Sequence, residues 1–265
     1  QTQQQSIIRF SGSTDCSLLN ATVQGSLGFG GSSTVAVDAS NGAQRFLASN
    51  CRLLACGDTP INLPSDGIFV RGDFCAIENC FASDVTDTAF VLEGCQNSSI
   101  TNVVGKHCTA IAAISNDTSD DLYGNFINGV TNVSSFIGSA GGVVGVLCVG
   151  VAAQGILIQS CDDVQVNNAN ISMDTAAGST GIRFDGDCTN GIVQGGSVIG
   201  ADYGVSSLNT SVVQVANITG RDQGSYSLLV ANTATIREDG SRVSGSNAGF
   251  SVAAGATLIS SHWQA

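Results

Sequence analysis

Residues 67–79 read Gly67-Ile68-Phe69-Val70-Arg71-Gly72-Asp73-Phe74-Cys75-Ala76-Ile77-Glu78-Asn79, and the recurrence of this pattern along the chain decides the fold. Its first part is a small residue followed by apolar residues at alternate positions. That signature returns at Gly155-Ile156-Leu157-Ile158, Gly181-Ile182-Arg183-Phe184, Gly204-Val205 and Gly249-Phe250-Ser251-Val252, with looser copies at 87–91 and 226–230. Its second part is an apolar residue, any residue, then Asn. It returns at Ile100-Thr101-Asn102, Val130-Thr131-Asn132, Val166-Asn167-Asn168 and Val215-Ala216-Asn217, and Gly195 and Asp239 are expected to fill the Asn slot in two further copies. A period of about 22 residues sustained in this way means a solenoid.

Each copy holds two or three short runs with period-2 alternation, broken by Gly, Asn and Asp, and no 3.6-residue pattern lies between them. The dense Leu comb of leucine-rich repeats is missing. The expectation is an all-β coil of parallel strands, each turn burying one apolar row and bonding to the turns above and below. Equivalent residues then stack about 4.8 Å apart. The Asn positions form a ladder whose amides satisfy each other and the backbone of the bends.

On these residues, the chain from about 44 to 260 resembles the pectate lyase-like parallel β-helices. That superfamily includes polysaccharide lyases, galacturonan hydrolases, alginate epimerases and phage tailspikes, and the likeness is closest in character to tailspike and fibre β-helices. The resemblance implies a single-stranded, right-handed parallel β-helix over residues 44–265, with rungs of about 22 residues and an Asn ladder. The handedness comes from the resemblance alone. Residues 1–43 alternate like strands, as at Ser6-Ile7-Ile8-Arg9-Phe10 and Thr34-Val35-Ala36-Val37, without the amphipathic helix that usually covers the first rung. They read as a strand-rich segment that caps or assembles the coil.

Composition narrows the partners. Gly is abundant at 33 residues and Pro scarce at 2, so Gly serves bends rather than disorder. The net charge is -12 and Lys106 is the only lysine, which argues against nucleic acid and against anionic membrane surfaces. No run of 18 apolar residues is present, so no membrane insertion is expected. A neutral sugar, a cationic partner or a metal ion remains compatible with this composition.

The chain has 10 cysteines. Stacking at the repeat length is expected to bring Cys51 near Cys75, Cys56 near Cys80 and Cys75 near Cys95. These are either disulfides between neighbouring turns, implying an oxidising compartment, or reduced thiols filling small inward positions. No Cys-x-x-Cys occurs, so no metal and no cofactor is expected.

The repeat lengthens after Asn102, and the surplus residues near 116–124 and 134–153 are expected to leave the coil as loops on one side. Insertions of this kind commonly form the binding face of a solenoid. The first holds Asp117, Asp120, Asp121 and Tyr123, which suit either a calcium ion held by hard oxygens or a sugar gripped by acceptors and an aromatic platform. For chemistry, the best constellation is Asp84, Asp87 and Asp66. Asp66 and Asp87 both precede a strand and are expected to occupy equivalent places in adjacent turns, about 5 Å apart. Two carboxylates so placed suit glycoside hydrolysis, and mutual repulsion raises one pKa as a general acid requires. Asp185-Gly186-Asp187 is a second candidate that reads first as a turn.

The galacturonan hydrolase set (Asn-Thr-Asp, Asp-Asp, Gly-His-Gly, Arg-Ile-Lys) is absent, as is the epimerase Asp-Pro-His-Asp. His107 has no assignable partner, and His262 beside Trp263 reads as an end contact. The expected function is an extracellular or virion-surface spike or fibre subunit, self-assembling as a homotrimer or fibre and binding a receptor that is, in chemical terms, a surface glycan. The alternative is a tailspike-type polysaccharide hydrolase or lyase working through the carboxylates on the outer face of the coil.

Overall fold

The computed structural model describes residues 5–26, 34–56, 65–85, 87–106, 108, 110–115, 126–128, 131–132, 154–173, 178–244 and 249–261. Among them every element is a β-strand, and no helix is long and apolar enough to cross a membrane. The strands form two sheets of parallel pairs, one of ten strands and one of 17. Each strand bonds to the equivalent strand one repeat away. In the ten-stranded sheet Ile68 pairs with Phe90, Phe90 with Ala112, Ala112 with Ile156 and Ile156 with Ile182. In the larger sheet two ladders of short strands merge at the long strands Gln165–Ser172 and Gly191–Ile199. The same pairing extends into residues 5–43, where Gln5–Ser11 lies parallel to Thr34–Ser40.

In-register pairing turns each sequence position into a column, and the inward columns make one continuous core. Ile68, Phe90, Ile156, Ile182 and Val205 form one such column; Val70, Leu92, Ile114, Ile158 and Phe184 form the next. Burial of each Ile, Leu or Phe is worth about 1.5–3 kcal/mol, and the columns repeat that gain from one repeat to the next. Near the C-terminal end the column Ile77–Ile100–Val166–Val193–Val215 receives Glu238. Its buried carboxylate accepts the Ser241 N–H and the Ser260 hydroxyl, each at 2.7 Å.

The small residue that opens each repeat has a steric cause. A Cβ on Gly67 would meet the Ala89 carbonyl oxygen at 2.3 Å, one on Gly155 the Gly181 oxygen at 2.5 Å, and one on Gly204 the Ser227 oxygen at 2.5 Å. At these three glycines the backbone of the next strand passes too close for a side chain, whereas Ala89 and Ile111 occupy the same column in other repeats.

The Asn column differs in detail from its expected form. Asn20, Asn50, Asn79, Asn102, Asn168 and Asn217 all have positive φ, from 51° to 55°. Asn tolerates this left-handed conformation better than other non-glycine residues, and it lets the chain bend between the two short strands of a repeat. The side chains are mostly exposed, so the column shapes bends rather than satisfying buried groups; the Asn102 amide donates to Asn79 Oδ1 at 3.4 Å. Two slots move. Ala216 pairs with Asp239, so Gly240 (φ 71°) and not Asp239 follows in the column. Asn132 pairs with Gly105 and Ile171 in the neighbouring ladder and lies outside it.

All nine described cysteines are free, eight of them buried. They share one local conformation at different bends of the repeat: most follow directly on a residue with positive φ, as in Asn50-Cys51, Phe74-Cys75, Asn79-Cys80, Gly94-Cys95 and Ser160-Cys161. There the side chain turns inward and its S–H donates to the carbonyl two residues back, with Cys80 to Glu78 at 3.1 Å and Cys161 to Gln159 at 3.0 Å. Ser98 and Gln223 do the same for Gln96 and Arg221, both at 3.0 Å. The inward side chain is a second donor to a carbonyl that already accepts an N–H from the neighbouring repeat, as Glu78 does from Asn50 at 3.1 Å and Gln96 from Phe74 at 3.0 Å. The expected neighbours change accordingly. The pairing of Arg52 with Phe81 sets Cys51 beside Cys80 rather than Cys75, and the pairing of Leu54 with Ser83 sets Cys56 opposite Val85 rather than Cys80. The expectation slipped because spacing along the chain was counted without the bends.

Candidate functional site

The ten-stranded sheet has an inner face on the core and an outer face. On the outer face Val35, Phe69 and Val91 form a small apolar cluster separate from the core. Asp66 is in register with Val35 and shares that face. The register of Ile68 with Phe90 sets Asp66 opposite Thr88, so Asp87 lies one residue ahead of the equivalent place. The expected equivalence of Asp66 and Asp87 is therefore off by one. The small-residue column aligns Gly67 with Ala89, and that column, not the aspartate, sets the register.

The two carboxylates nevertheless meet around Thr88. The Thr88 backbone N–H donates to Asp66 Oδ1 at 3.3 Å, and its hydroxyl donates to Asp87 Oδ1 at 3.4 Å. Burial pushes the Asp66 pKa up to about 8, with the Asp87 charge adding to the rise and the Thr88 N–H opposing it. Burial also raises Asp87, against the pull of the Thr88 hydroxyl. The pair titrates as a unit that keeps a proton into the neutral range. One acid and one carboxylate side by side are what general acid–base chemistry at a glycosidic bond uses.

The nearby cations are engaged. Arg9 Nε lies 3.3 Å from Asp38 Oδ2, Arg71 forms an ion pair with Glu93, and the Arg71 guanidinium sits 5.5 Å above the Phe69 ring. Asp38 is in register with Phe69 on the same outer face; it is buried, and its Oδ1 has no hydrogen-bond partner. Asp38 and Thr88 escaped the sequence reading. A charge in the middle of Val35-Ala36-Val37-Asp38-Ala39 was the available signal for the first. The position directly after Asp87 was the signal for the second.

Asp84 occupies a different place. It lies at a bend with φ 57°, its N–H bonds to the Lys106 carbonyl at 3.0 Å, and it accepts the Ser83 hydroxyl. The observed pair is thus Asp66 with Asp87, while Asp84 shapes the chain that leads to it. Asp117, Asp120, Asp121, Tyr123, His107 and His262 lie outside the described residues. Residues 116–125 follow the ten-stranded-sheet strand Ala110–Ser115, whereas residues 133–153 precede the strand Gln154–Gln159 of that sheet. Asp185 has the surroundings of a turn: it accepts Gly186 N–H at 2.8 Å and Asn209 Nδ2 at 2.5 Å, and pairs with Arg183. Asp187 accepts the Thr210 hydroxyl. No group of three or more His, Cys, Asp or Glu among the described residues is placed to hold a metal ion.

Compared with known proteins, the sequence matches no family model and no curated protein. The site is therefore read from its own geometry.

Proposed function

We propose that the stacked parallel sheets form a single-stranded, right-handed parallel β-helix, the body of a spike or fibre subunit on an extracellular or virion surface. In this reading it binds a surface polysaccharide along the outer face of the ten-stranded sheet and hydrolyses it at Asp66 and Asp87. The advance of every strand pairing by one repeat supports the coil. The observation that carries the activity is the carboxylate pair around Thr88, with Asp66 held protonated into the neutral range.

Asp66 is the general acid. Its proton passes to the glycosidic oxygen as the bond from that oxygen to the anomeric carbon breaks, and the leaving sugar departs as an alcohol. Asp87, as the carboxylate, stabilises the positive anomeric carbon and takes a proton from the water that completes the hydrolysis. The net charge of -12 and the engagement of Arg9 and Arg71 in ion pairs favour a neutral substrate over a polyuronate, and hydrolysis over lyase chemistry. Exposed Ile7 and Leu19 on the first strands and Phe250, Val252 and Ile259 on the last support self-association of parallel edges, as a homotrimer or fibre.

A non-catalytic, receptor-binding subunit is the second reading. It is favoured by Thr88, whose two hydrogen bonds hold both carboxylates in a purely structural manner. Release of reducing ends from a panel of neutral bacterial polysaccharides separates the two. Turnover abolished by Asp66→Asn and by Asp87→Asn supports hydrolysis. Turnover that survives both substitutions removes this site from the chemistry, and binding without any turnover leaves the receptor role.

A further inference from the structure

The inward columns run from the first described repeat to the last, and the core is left partly open at both. Gln5–Ser11, paired with Thr34–Ser40, and Phe250–Val252, paired with Tyr226–Val230, are the two outermost strands of the ten-stranded sheet. In the larger sheet Ser17–Leu19 pairs with Leu47–Ser49 at one end of its ladder, and Thr257–Ser260 pairs with Thr235–Asp239 at the other. Among the described residues, the apolar side chains that touch the core and stay partly open to solvent are confined to these ends. They are Ile8, Phe10, Cys16, Leu18 and Ala21 in the first repeat, with Ala256 and Leu258 in the last. Exposure is highest at Ile7, at 49%, and at Val252, at 43%. No charged residue is among them, so neither end has the polar surface that stops a stack of strands.

We propose that a second copy of this chain stacks head to tail on the first, its first repeat continuing the parallel sheets of the other's last. Register carries the argument. Ile8 begins the column that Phe250 ends, and Phe10 begins the column that Val252 ends. In the larger sheet Cys16 begins the column that passes through Val213 and Ile236 to Leu258. Each of the three meetings sets a larger side chain on a smaller one. Another copy offers all these columns at once, in the strand direction that the coil uses throughout. Two like ends set face to face would run their strands antiparallel. A contact between unlike ends does not close on itself, so it builds a filament. Ten strands at about 4.8 Å give a subunit repeat of about 48 Å along it. The stacking rests on the self-association reading and decides between its two forms, a fibre rather than a lateral trimer.

Light scattering and negative-stain microscopy on the whole chain test this with two variants. Ile8→Lys/Leu18→Lys blocks the first repeat, and Val252→Lys/Leu258→Lys blocks the last. The parent is expected to form filaments with a repeat of about 48 Å, and each variant alone to stay at the monomer mass. An equimolar mixture of the two is expected to double that mass and go no further, because one unblocked end of each kind remains. Far-ultraviolet circular dichroism confirms that the variants fold, and Val252→Ile/Leu258→Met, which keeps the end apolar, keeps the filaments. A parent trimer whose mass survives both lysine variants overturns the stacking and leaves self-association standing as a lateral contact. Doubling by either variant alone, or a mixture that stays monomeric, also overturns it. A monomeric parent overturns stacking and self-association together, while release of reducing ends tests the Asp66–Asp87 pair separately.

Discussion

Substituting Asp66 by Asn should make the protein more stable in mildly alkaline solution, which is unusual for removal of a residue from a candidate catalytic pair. In the folded state burial and the Asp87 charge lift the Asp66 pKa from 3.8 to about 8. The folded protein therefore holds a proton that the unfolded chain has released between about pH 4 and pH 8. Where the native state binds more protons than the unfolded state, stability falls as pH rises. A shift of about four units at 1.36 kcal/mol each sets a ceiling near 5–6 kcal/mol. Asp66 is only partly buried, and screening by solvent reduces this to about 2–3 kcal/mol. Asn keeps the oxygen that accepts the Thr88 N–H but cannot ionise. Urea unfolding at pH 5 and at pH 8.5 should show the parent losing about 2–3 kcal/mol across the interval from this group. The Asn variant should lose correspondingly less, so the two curves diverge at pH 8.5. Taking the difference between variant and parent cancels the titrations of distant groups and leaves that of the Asp66–Asp87 pair. Equal pH slopes in the two proteins, or a parent that gains stability relative to the variant as pH rises, would refute the argument and with it the protonated acid.

Three further outcomes follow from the packing. Gly155→Ala should cost about 1–3 kcal/mol in chemical denaturation, because its Cβ would stand 2.5 Å from the Gly181 oxygen and 2.6 Å from Ile171 Cγ2. Asn102→Ala should lower stability by about 1 kcal/mol, from the left-handed backbone it must adopt, whereas Asn102→Gly should cost less than half of that; equal losses would show that the amide contact to Asn79 matters more than φ. Among the nine described cysteines, iodoacetamide at pH 8 should label Cys16 first and the eight buried thiols only on unfolding, read by peptide mass spectrometry. Burial pushes Cys80, Cys95, Cys108 and Cys161 up to about 12, so little thiolate is present in the folded protein.

What could be read from the sequence divides along a physical line. Parallel in-register stacking makes every repeat answer to the same backbone, so positions under common constraint advertise themselves. Gly67, Gly155, Gly181 and Gly204 recur because the next strand passes within 2.3–2.7 Å of their missing side chains, and Asn79, Asn102, Asn168 and Asn217 recur because the bend needs positive φ. Those columns gave away the all-β parallel architecture. Register between particular repeats was less legible, since it depends on residues that vary between the columns. Counting from Asp66 to Asp87 misplaces the pair by one and counting from Cys51 to Cys75 selects the wrong neighbour, while aligning the small residues Gly67 and Ala89 gives the Asp66–Thr88 register. The carboxylate pair itself has no recurrence to betray it. Asp66 and Asp87 occur in single repeats, and an aspartate before a strand looks the same whether it ends a turn or holds a shared proton. Only the structure distinguishes them, by burying Asp66 beside Asp87 and leaving Asp185 tied to Gly186, Asn209 and Arg183. In a repeat fold the recurring residues report the scaffold, so function has to be sought where a column is broken by a group that the scaffold does not need. Asp38 within an apolar strand and Asp66 before Gly67 are such breaks, and both lie on the outer face of the ten-stranded sheet.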